Sequence, residues 1–323
     1  MIPSPRRSIL LTLFAGLLWL AAATADDSVA YVANLLTAMG VPAIPASNIC
    51  TTAGITCTGG VVTEIYFNSI PSFAGTRTMP DHALAPFNTY NYDEMSITSI
   101  QCYRCGTLKG PLPTVWSRIK SLTVISFNMC AFSGTLPKEW GSLVDLNTLV
   151  LNVNQLTGTF PDEWAALTKL TLLQLEGNHF EATLPKSWSS MTQLTQINFG
   201  SNFKIFGTVP PEWGSMTLLE RLPLDNNQLS GTLPPEWKTF TKLHTLKLYN
   251  NNFTGTLPPE WSGMTSLQEF TFHNNQLTGT LPPEWRTMTV LSTFYLYNNQ
   301  FTGSLPPEWS TMTNLTILYL YRK

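Results

Sequence analysis

The stretch GTLPPEWKTFTKLHTLKLYNNNFT (231–254) is followed directly by GTLPPEWSGMTSLQEFTFHNNQLT (255–278), which keeps the same proline, tryptophan and asparagine positions. The period continues on both sides, because successive tryptophans of this series stand 24 residues apart, except for one separation of 25. A period of this length predicts a solenoid, in which each coil of chain contacts only its neighbours. We name this series the tryptophan column: Trp116, Trp140, Trp164, Trp188, Trp213, Trp237, Trp261, Trp285 and Trp309.

One coil divides into a strand, a turn and an outer segment, as residues 291–307 (LSTFYLYNNQFTGSLPP) show. The alternation of Phe294 and Leu296 predicts a short strand with both side chains pointing inward. Asn299 follows at the turn, where a buried amide can satisfy backbone groups; an unpaired amide would cost about 1–3 kcal/mol. The equivalent residues are predicted to form an asparagine ladder: Asn154, Asn178, Asn202, Asn227, Asn251, Asn275 and Asn299.

The Leu-Pro-Pro-Glu-Trp segment predicts a short helical turn on the outer side of each coil, because its prolines exclude a long helix. A glycine column, broken at Ala182, precedes this segment and marks a bend. The spacing of Trp261 and Met264 places both on the inner face of the turn, so we predict a buried tryptophan column with hydrogen-bonded indoles. The exposed N–H groups at the start of each turn favour a carboxylate there, so we interpret one outer row of glutamates in this way and not as a metal site. The row consists of Glu212, Glu236, Glu260, Glu284 and Glu308.

The pattern L-x-x-L-x-L-x-x-N-x-L-x-G-x-L-P resembles the plant-type leucine-rich repeat, and its Gly-Thr-Leu-Pro-Pro-Glu-Trp variant resembles the promastigote surface antigen family of kinetoplastid parasites. The resemblance runs from about Val62 to Lys323. It implies an α/β-type solenoid, a curved right-handed superhelix with parallel strands inside and short helical or extended turns outside. The template predicts eleven strands, which start at Val62, Ile97, Leu122, Leu146, Leu170, Leu194, Leu219, Leu243, Leu267, Leu291 and Leu315.

The first 25 residues are predicted to be a secretory signal peptide, with basic Arg6 and Arg7, an apolar stretch over Ile9–Ala23 and a small-residue cleavage site. An uncleaved anchor is the alternative. We expect an N-terminal cap over 26–60 with an amphipathic helix at Val29–Met39, irregular first repeats over 61–121 and regular repeats over 122–323. An irregular insertion spans Asp81–Glu94.

The C-terminal end lacks a predicted cap. We interpret this as a truncated product, since the resembled family commonly continues into a stalk and a lipid-anchor signal. Alternatively, Arg322 and Lys323 protect the last strand themselves.

Five cysteines fall in the N-terminal part of the chain. Cys50 and Cys57 enclose a short loop and are predicted to pair in the oxidising compartment that secretion implies. The remaining Cys102, Cys105 and Cys130 are odd in number, so at least one is free or bonded to another chain. In the repeat pattern, Cys102 occupies an inward strand position, whereas Cys105 and Cys130 occupy positions of the asparagine ladder. We therefore predict buried structural cysteines rather than a redox-active C-x-x-C pair, and their pairing stays open.

The composition argues against several functional classes. The net charge is −2 over 323 residues and no basic run occurs, which argues against a nucleic-acid partner. None of the four histidines lies in a metal-ligand spacing, and the sequence contains neither a nucleophile elbow nor a phosphate loop. We therefore predict no catalytic residues, no metal and no cofactor, and we do not expect an enzyme.

The inner face of the strands is the predicted ligand surface, because a curved solenoid presents it as an extended binding site. Its C-terminal half is rich in tyrosine, a residue favoured at protein interfaces. The alternative is that duplicated tyrosines stack only to stabilise the sheet. The candidate ligand-binding residues are Tyr249, His273, Tyr295, Tyr297, Tyr319 and Tyr321; Asn252 and Asn314 are candidate glycosylation acceptors.

We therefore predict a leucine-rich-repeat recognition protein that is secreted or displayed on the extracellular face of the plasma membrane. The family resemblance implies a host-cell receptor or a host protein as its partner. Membrane association would require either a missing C-terminal anchor or an uncleaved signal. Two alternatives stay open, a passive surface-coat antigen without a specific ligand and an inhibitor of a secreted enzyme.

Overall fold

The computed structural model describes residues 26–71, 73 and 75–320, so the predicted signal peptide (1–25) and Tyr321 lie outside the described residues. One sheet of 12 strands runs through this part of the chain in sequence order. β1 pairs antiparallel with β2, and every later neighbour is parallel. The strands are β1 (Ile55–Thr58), β2 (Val61–Tyr66), β3 (Ser99–Tyr103), β4 (Val124–Asn128), β5 (Thr148–Val150), β6 (Leu172–Gln174), β7 (Gln196–Asn198), β8 (Arg221–Pro223), β9 (Thr245–Lys247), β10 (Glu269–Thr271), β11 (Thr293–Tyr295) and β12 (Ile317–Tyr319).

The eleven parallel strands confirm the predicted repeat and the predicted fold class. Each regular strand begins two residues after the leucine that opens its template, because that leucine completes the preceding turn. The Leu291 backbone N–H, for example, donates to the Met288 carbonyl oxygen at 3.1 Å. Strand neighbours are in register, so that Phe270 lies beside Phe294 and both are fully buried. The antiparallel strand β1 was not predicted, since it belongs to a hairpin outside the repeat.

One 3-10 turn closes the outer side of each coil, as the proline pairs predict. Within each turn the tryptophan is buried, and six of the eight neighbouring indole pairs stack with nearly parallel planes. Trp213, beside the 25-residue coil, stacks on Phe199 instead. Trp237 and Trp261 are typical, with ring centroids 6.1 Å apart and an interplanar angle of 10°. The predicted burial of the tryptophan column is confirmed. These turns span Thr114–Arg118, Lys138–Ser142, Asp162–Ala166, Lys186–Ser190, Pro211–Ser215, Pro235–Thr239, Pro259–Gly263, Pro283–Thr287 and Pro307–Thr311.

The asparagine ladder links consecutive coils. The Asn251 amide group donates to the carbonyl oxygens of Leu224 and Leu248 at 3.0 and 3.1 Å, and its side-chain oxygen accepts the Leu229 backbone N–H at 3.0 Å. The ladder is incomplete beside the 25-residue coil, where the side-chain oxygens of Asn202 and Asn227 are buried without a partner among the described residues.

Short strands after the asparagine turns form three smaller parallel sheets. Glycines such as Gly158 and Gly207 end these strands with φ of 81° and 80°, a conformation that favours glycine. Ala182 takes this place once and is not in the left-handed region; there the chain forms a single bridge between Thr183 and Phe206. The first sheet comprises Arg77–Thr78, Leu108–Pro111, Ala131–Thr135 and Gln155–Thr157; the second Phe206–Gly207, Gln228–Gly231 and Asn252–Phe253; the third Thr278–Gly279 and Gln300–Phe301.

An N-terminal cap covers the first coil. Helix α1 (Ser28–Ala38) buries Tyr31 and Leu35 against it, and the Ser28 hydroxyl accepts the Val62 backbone N–H at 2.9 Å. The short helix α2 (Ala46–Ile49) follows. The insertion after residue 80 contains 3-10 turns at Phe87–Thr89 and Tyr92–Glu94 and packs onto α1. Among the described residues, no helix combines the length and the apolar composition that crossing a bilayer requires.

The cysteines occupy this capped end. The structure joins Cys50 to Cys57 and Cys102 to Cys105, and it leaves Cys130 as a buried free thiol. Burial raises the pKa of the Cys130 thiol to about 11. Its sulfur donates to the Cys102 carbonyl oxygen, much as the Asn154 amide group donates to the Phe127 carbonyl oxygen in the next coil. Cys130 therefore acts as a ladder residue.

Candidate recognition surface

The inner face of the last four coils carries a continuous group of aromatic side chains. Tyr249, His273 and Tyr297 form one stack, with centroid separations of 4.6 and 4.4 Å and interplanar angles of 7° and 19°. Tyr295 and Tyr319 form a second stack beside it, at 5.0 Å and 12°. The structure thus brings together all the predicted ligand-binding residues that it describes. We name these five residues the aromatic patch.

The stacks follow from the sheet. Parallel strands lie about 4.8 Å apart, so rings at equivalent positions of successive coils meet face to face. The central ring of the first stack is then covered on both sides, and His273 is only 8% exposed. The expectation that His273 is an accessible contact residue was wrong for this reason. Burial also lowers its pKa to about 4, which keeps the imidazole neutral at neutral pH.

Charged groups border the patch without giving it a strong charge. Lys247 and Glu269 pair with each other at 2.9 Å. Asp225 is buried beside the Tyr249 hydroxyl, and burial is the main reason why its pKa is raised. Burial, together with the Asp225 charge, raises the pKa of Tyr249 to about 12. The tyrosine therefore keeps its proton and presents a neutral surface.

The N-terminal half of the same inner column is polar instead. The Asn128 amide group donates to the Asn152 side-chain oxygen at 2.8 Å, and the Asn152 amide group donates to Glu176 at 2.8 Å. Burial raises the pKa of Glu176. Asn152 is buried within this chain of hydrogen bonds. The inner face is thus divided into a polar half and an aromatic half.

The Leucine Rich Repeat family model matches residues 218–240, 242–264, 266–288 and 290–312. The last three matches contain Tyr249, His273, Tyr295 and Tyr297, whereas Tyr319 lies beyond them. The matched period coincides with the coils of the sheet. The fold is a leucine-rich-repeat solenoid. No curated protein matches the chain in sequence. The kinetoplastid surface-antigen resemblance stays a prediction.

Solved leucine-rich-repeat structures share this fold at low identity. The Arabidopsis receptor kinase HAESA, in complex with the peptide hormone IDA and the co-receptor SERK1, is 23% identical at a TM-score of 0.70, over 93% of this chain and 54% of that chain. The ectodomain of the Arabidopsis thaliana receptor kinase GASSHO1/SCHENGEN3, in complex with CASPARIAN STRIP INTEGRITY FACTOR 2, is 21% identical at a TM-score of 0.56, and the match covers 91% of this chain and 44% of that chain. A plant ice-binding protein is 19% identical at a TM-score of 0.68, and the match covers 90% of this chain and 94% of that chain.

The solenoid spans about half the length, or less, of the plant receptor chains that it matches. Their identities are below 25%, so these structures establish the fold alone. Any activity or partner of those whole proteins is therefore a separate question for this chain.

Two buried atoms on the patch were not singled out from the sequence. The Thr271 hydroxyl and His273 Nδ1 are both buried and have no hydrogen-bond partner among the described residues of the solenoid. Thr271 lies in register between Lys247 and Tyr295, two residues before His273. No sequence signal could have identified it, because threonine is common on every face of the repeat.

The remaining candidate positions lie elsewhere on the solenoid. Asn252 and Asn314 are both exposed, on a short strand of the second small sheet and after the last outer turn. Within the described ranges, Cys102, Cys105 and Cys130 are the one group whose donor atoms cluster closely enough for a metal ion, with sulfurs within 4.8 Å. Two of these sulfurs are bonded to each other, which leaves Cys130 as a single free donor.

Proposed function

We propose that this solenoid is an extracellular recognition protein and that its aromatic patch binds a protein or peptide ligand. The observation that carries the proposal is the patch itself, which places five aromatic rings on four consecutive coils of one face of the sheet. Tyrosine side chains combine apolar contact area with a hydroxyl group at low entropic cost, which suits them to interfaces. Tyr319 is the most accessible of them, at 48% exposure.

Two further observations support this proposal. The matched plant receptor structures were solved with peptide or protein partners on the same fold. The predicted signal peptide and the Cys50–Cys57 disulfide both suit an extracellular protein, secreted or held at the outer face of the plasma membrane. A host protein or host-cell receptor is the partner that the surface-antigen resemblance implies.

The test compares two sets of aromatic substitutions. Replacing Tyr249, Tyr295, Tyr297 and Tyr319 with alanine removes the patch, whereas Phe203→Ala with Phe206→Ala removes exposed rings from the irregular coil outside it. Each variant is incubated with cultured host cells and with an array of extracellular proteins. We expect loss of retention only for the first set, with the circular dichroism spectrum unchanged. Equal retention by both variants contradicts the proposal.

The same assay addresses the two alternatives from the sequence. A passive coat antigen would retain no extracellular protein above the level of a blank surface. An inhibitor of a secreted enzyme would lower the activity of extracellular hydrolases added to the assay, and this effect would be measured directly.

A second candidate function, ice binding, is supported by a regular outer surface. Exposed threonines recur once per coil, and their methyl groups flank the glycine of the next coil; a Cβ added to Gly279 would stand 2.7 Å from the Thr256 methyl carbon. Coils about 4.8 Å apart thus present an uncharged, evenly spaced array that can order water. The plant ice-binding protein is nearly co-extensive with this chain. The array consists of Thr135, Thr159, Thr183, Thr208, Thr232, Thr256 and Thr280.

Inhibition of ice recrystallisation tests this second function. The wild-type protein is expected to inhibit it, the double variant Thr208→Tyr with Thr256→Tyr to lose the effect, and Thr265→Tyr, on another exposed position, to retain it. Absence of inhibition by the wild-type protein contradicts ice binding and leaves the recognition proposal untouched.

A further inference from the structure

Three cysteine sulfurs meet at the capped end of the solenoid. The Sγ atoms of Cys102, Cys105 and Cys130 all lie within 4.8 Å of one another. The first two form a disulfide, and Cys130 is a buried thiol beside it. A thiol and a disulfide are the two reactants of an exchange reaction, so this cluster holds both reactants without any external group.

The register of the sheet places Cys105 and Cys130 side by side in successive coils. Tyr103 pairs in register with Asn128. The same offset, two residues further along, brings Cys105 opposite Cys130. The backbone keeps this register beyond the strands, because the Arg104 N–H donates to the Asn128 carbonyl oxygen at 2.9 Å. Neighbouring strands lie about 4.8 Å apart, which falls within the Cα separation of about 4.4–6.8 Å that a disulfide requires.

These two cysteines stand where the later coils have asparagine. The Asn154 amide group, the first of the asparagine ladder, donates to the Phe127 carbonyl oxygen of the preceding coil at 2.7 Å. The Cys130 thiol makes only a longer contact, to the Cys102 carbonyl oxygen at 3.8 Å, and a thiol is a weak donor. A covalent link between Cys105 and Cys130 would therefore strengthen a junction that the ladder holds less firmly.

We propose that Cys130 exchanges with the Cys102–Cys105 disulfide and so moves the cross-link from within one coil to between two coils. The Cys130 thiol loses its proton, and its Sγ attacks the Cys105 Sγ. The Cys105–Cys130 bond forms while the Cys102–Cys105 bond breaks, and the electron pair of the broken bond stays on the Cys102 Sγ. Cys102 then takes up a proton. One disulfide and one thiol are present before and after, so the step needs neither an oxidant nor a reductant.

The rate and the direction of this exchange have different causes. Burial raises the pKa of the Cys130 thiol to about 11, so only about one thiol in 10,000 is ionised at pH 7 and the exchange is slow. The Cys102–Cys105 link joins residues three apart in sequence, whereas the Cys105–Cys130 link closes a loop one coil long. A longer closed loop restricts the unfolded chain more strongly. We therefore expect slow conversion from the shorter link to the longer one.

Mass spectrometry of the free thiol follows the exchange. The purified, folded protein is incubated at about pH 8.5, where more of the thiol is ionised. It is then acidified, unfolded, alkylated with N-ethylmaleimide and digested to identify the labelled cysteine. We expect the label on Cys130 at the start and on Cys102 after incubation, at a rate that does not depend on protein concentration. Cys50 and Cys57, which form the other disulfide, serve as the internal control and should stay unlabelled.

Two variants separate this reaction from general scrambling. Cys130→Ser removes the attacking thiol, so no label should appear after incubation. Cys102→Ala, produced through an oxidising secretory pathway, should carry the Cys105–Cys130 disulfide directly. A label that stays on Cys130, or one that moves to Cys105, overturns the proposal. Label on Cys50 or Cys57 also overturns it, because exchange would then pass through the unfolded chain.

The thermal midpoint gives a second readout. The wild-type protein after exchange is compared with the same protein before incubation, both at about pH 5, where too little thiolate is present for further exchange. The longer loop should raise the midpoint by about 2–4 °C. An equal or lower midpoint would show that the link between coils strains the fold, and it would overturn the expected direction of exchange.

Discussion

The indole Nε1 of Trp237 donates a hydrogen bond to the carbonyl oxygen of Pro210 at 3.0 Å, and this bond joins two neighbouring coils. The same contact recurs from Trp140 to Trp309, always with the proline that opens the preceding outer turn. Trp116 has no such coil before it and donates instead to the Tyr31 hydroxyl of helix α1 at 2.8 Å. The repeated proline and tryptophan are therefore two halves of one contact between coils.

Removing a single indole N–H should weaken this contact measurably. In Trp237→Phe the ring stack is largely kept, but the Pro210 carbonyl oxygen loses the indole donor and keeps only the Trp213 backbone N–H. We expect the free energy of unfolding to fall by about 0.5–1.5 kcal/mol, measured by urea denaturation. Phe203→Leu, at a residue that is 63% exposed, serves as the control and should change little. Equal stability of the two variants would contradict the role of the indole.

Substituting residues of the asparagine ladder should lower the free energy of unfolding by different amounts at different positions. Asn251→Leu leaves the buried Leu229 N–H without an acceptor, whereas the Leu224 carbonyl oxygen keeps the Asn227 amide group as its donor, so we expect a loss of about 1–3 kcal/mol. Asn202→Leu should cost less, because the side-chain oxygen of Asn202 has no partner within the described chain to lose. Urea denaturation of both variants measures the difference, and the reverse order would refute this account of the ladder.

Glycine at the bend is required for two separable reasons. Gly231 has φ of 79°, and a Cβ there would stand 2.8 Å from the Thr208 methyl carbon. Gly60 has φ of 85° but open space around it. We expect Gly60→Ala to cost about 1 kcal/mol from backbone strain alone and Gly231→Ala to cost more. Adding Thr208→Ser to Gly231→Ala removes the methyl group. The thermal midpoint should then rise until the remaining loss equals that of Gly60→Ala, because only the backbone strain is left.

Acid should loosen the N-terminal cap through His82. Its Nδ1 lies 2.9 Å from the Pro80 carbonyl oxygen and therefore carries the proton, so Nε2 accepts from the Tyr31 hydroxyl at 3.0 Å. Burial lowers the pKa of His82 from its ordinary value of 6.5 to about 4. The pKa of His82 is lower in the folded protein than in the unfolded chain, so protonation favours the unfolded chain. The free energy of unfolding is therefore undiminished by His82 above pH 6.5 and decreases as the pH falls towards 4.

The expected loss from His82 is about 2–3 kcal/mol over this range. Thermal midpoints of the wild-type protein and of His82→Gln, measured from pH 7 to pH 4, check it. Burial lowers the pKa of His273 as well, and it raises the pKa of Glu176 and Asp225, which acts in the opposite sense. All three groups are present in both proteins, so the difference between the two pH profiles isolates His82. Parallel profiles would contradict the prediction.

The sequence was sufficient to predict features that recur in every coil. It was not sufficient to predict features that depend on contacts between non-equivalent residues of different segments. The inward Phe294, the buried tryptophan column and the asparagine ladder follow from spacing alone. The covered ring of His273 does not, because its burial requires tyrosines at the same position in both neighbouring coils. The unsatisfied Thr271 hydroxyl and the contact between Trp116 and Tyr31 likewise arise from neighbours that no periodic pattern specifies.

The claim on which the whole account depends is that the coils stack through their tryptophans. Hydrogen exchange of the indole N–H protons, followed by NMR after transfer into heavy water, tests it most directly. The account predicts slow exchange for the nine indoles of the tryptophan column, since each is buried and hydrogen-bonded. Exchange of these protons at the rate of a free indole would contradict it.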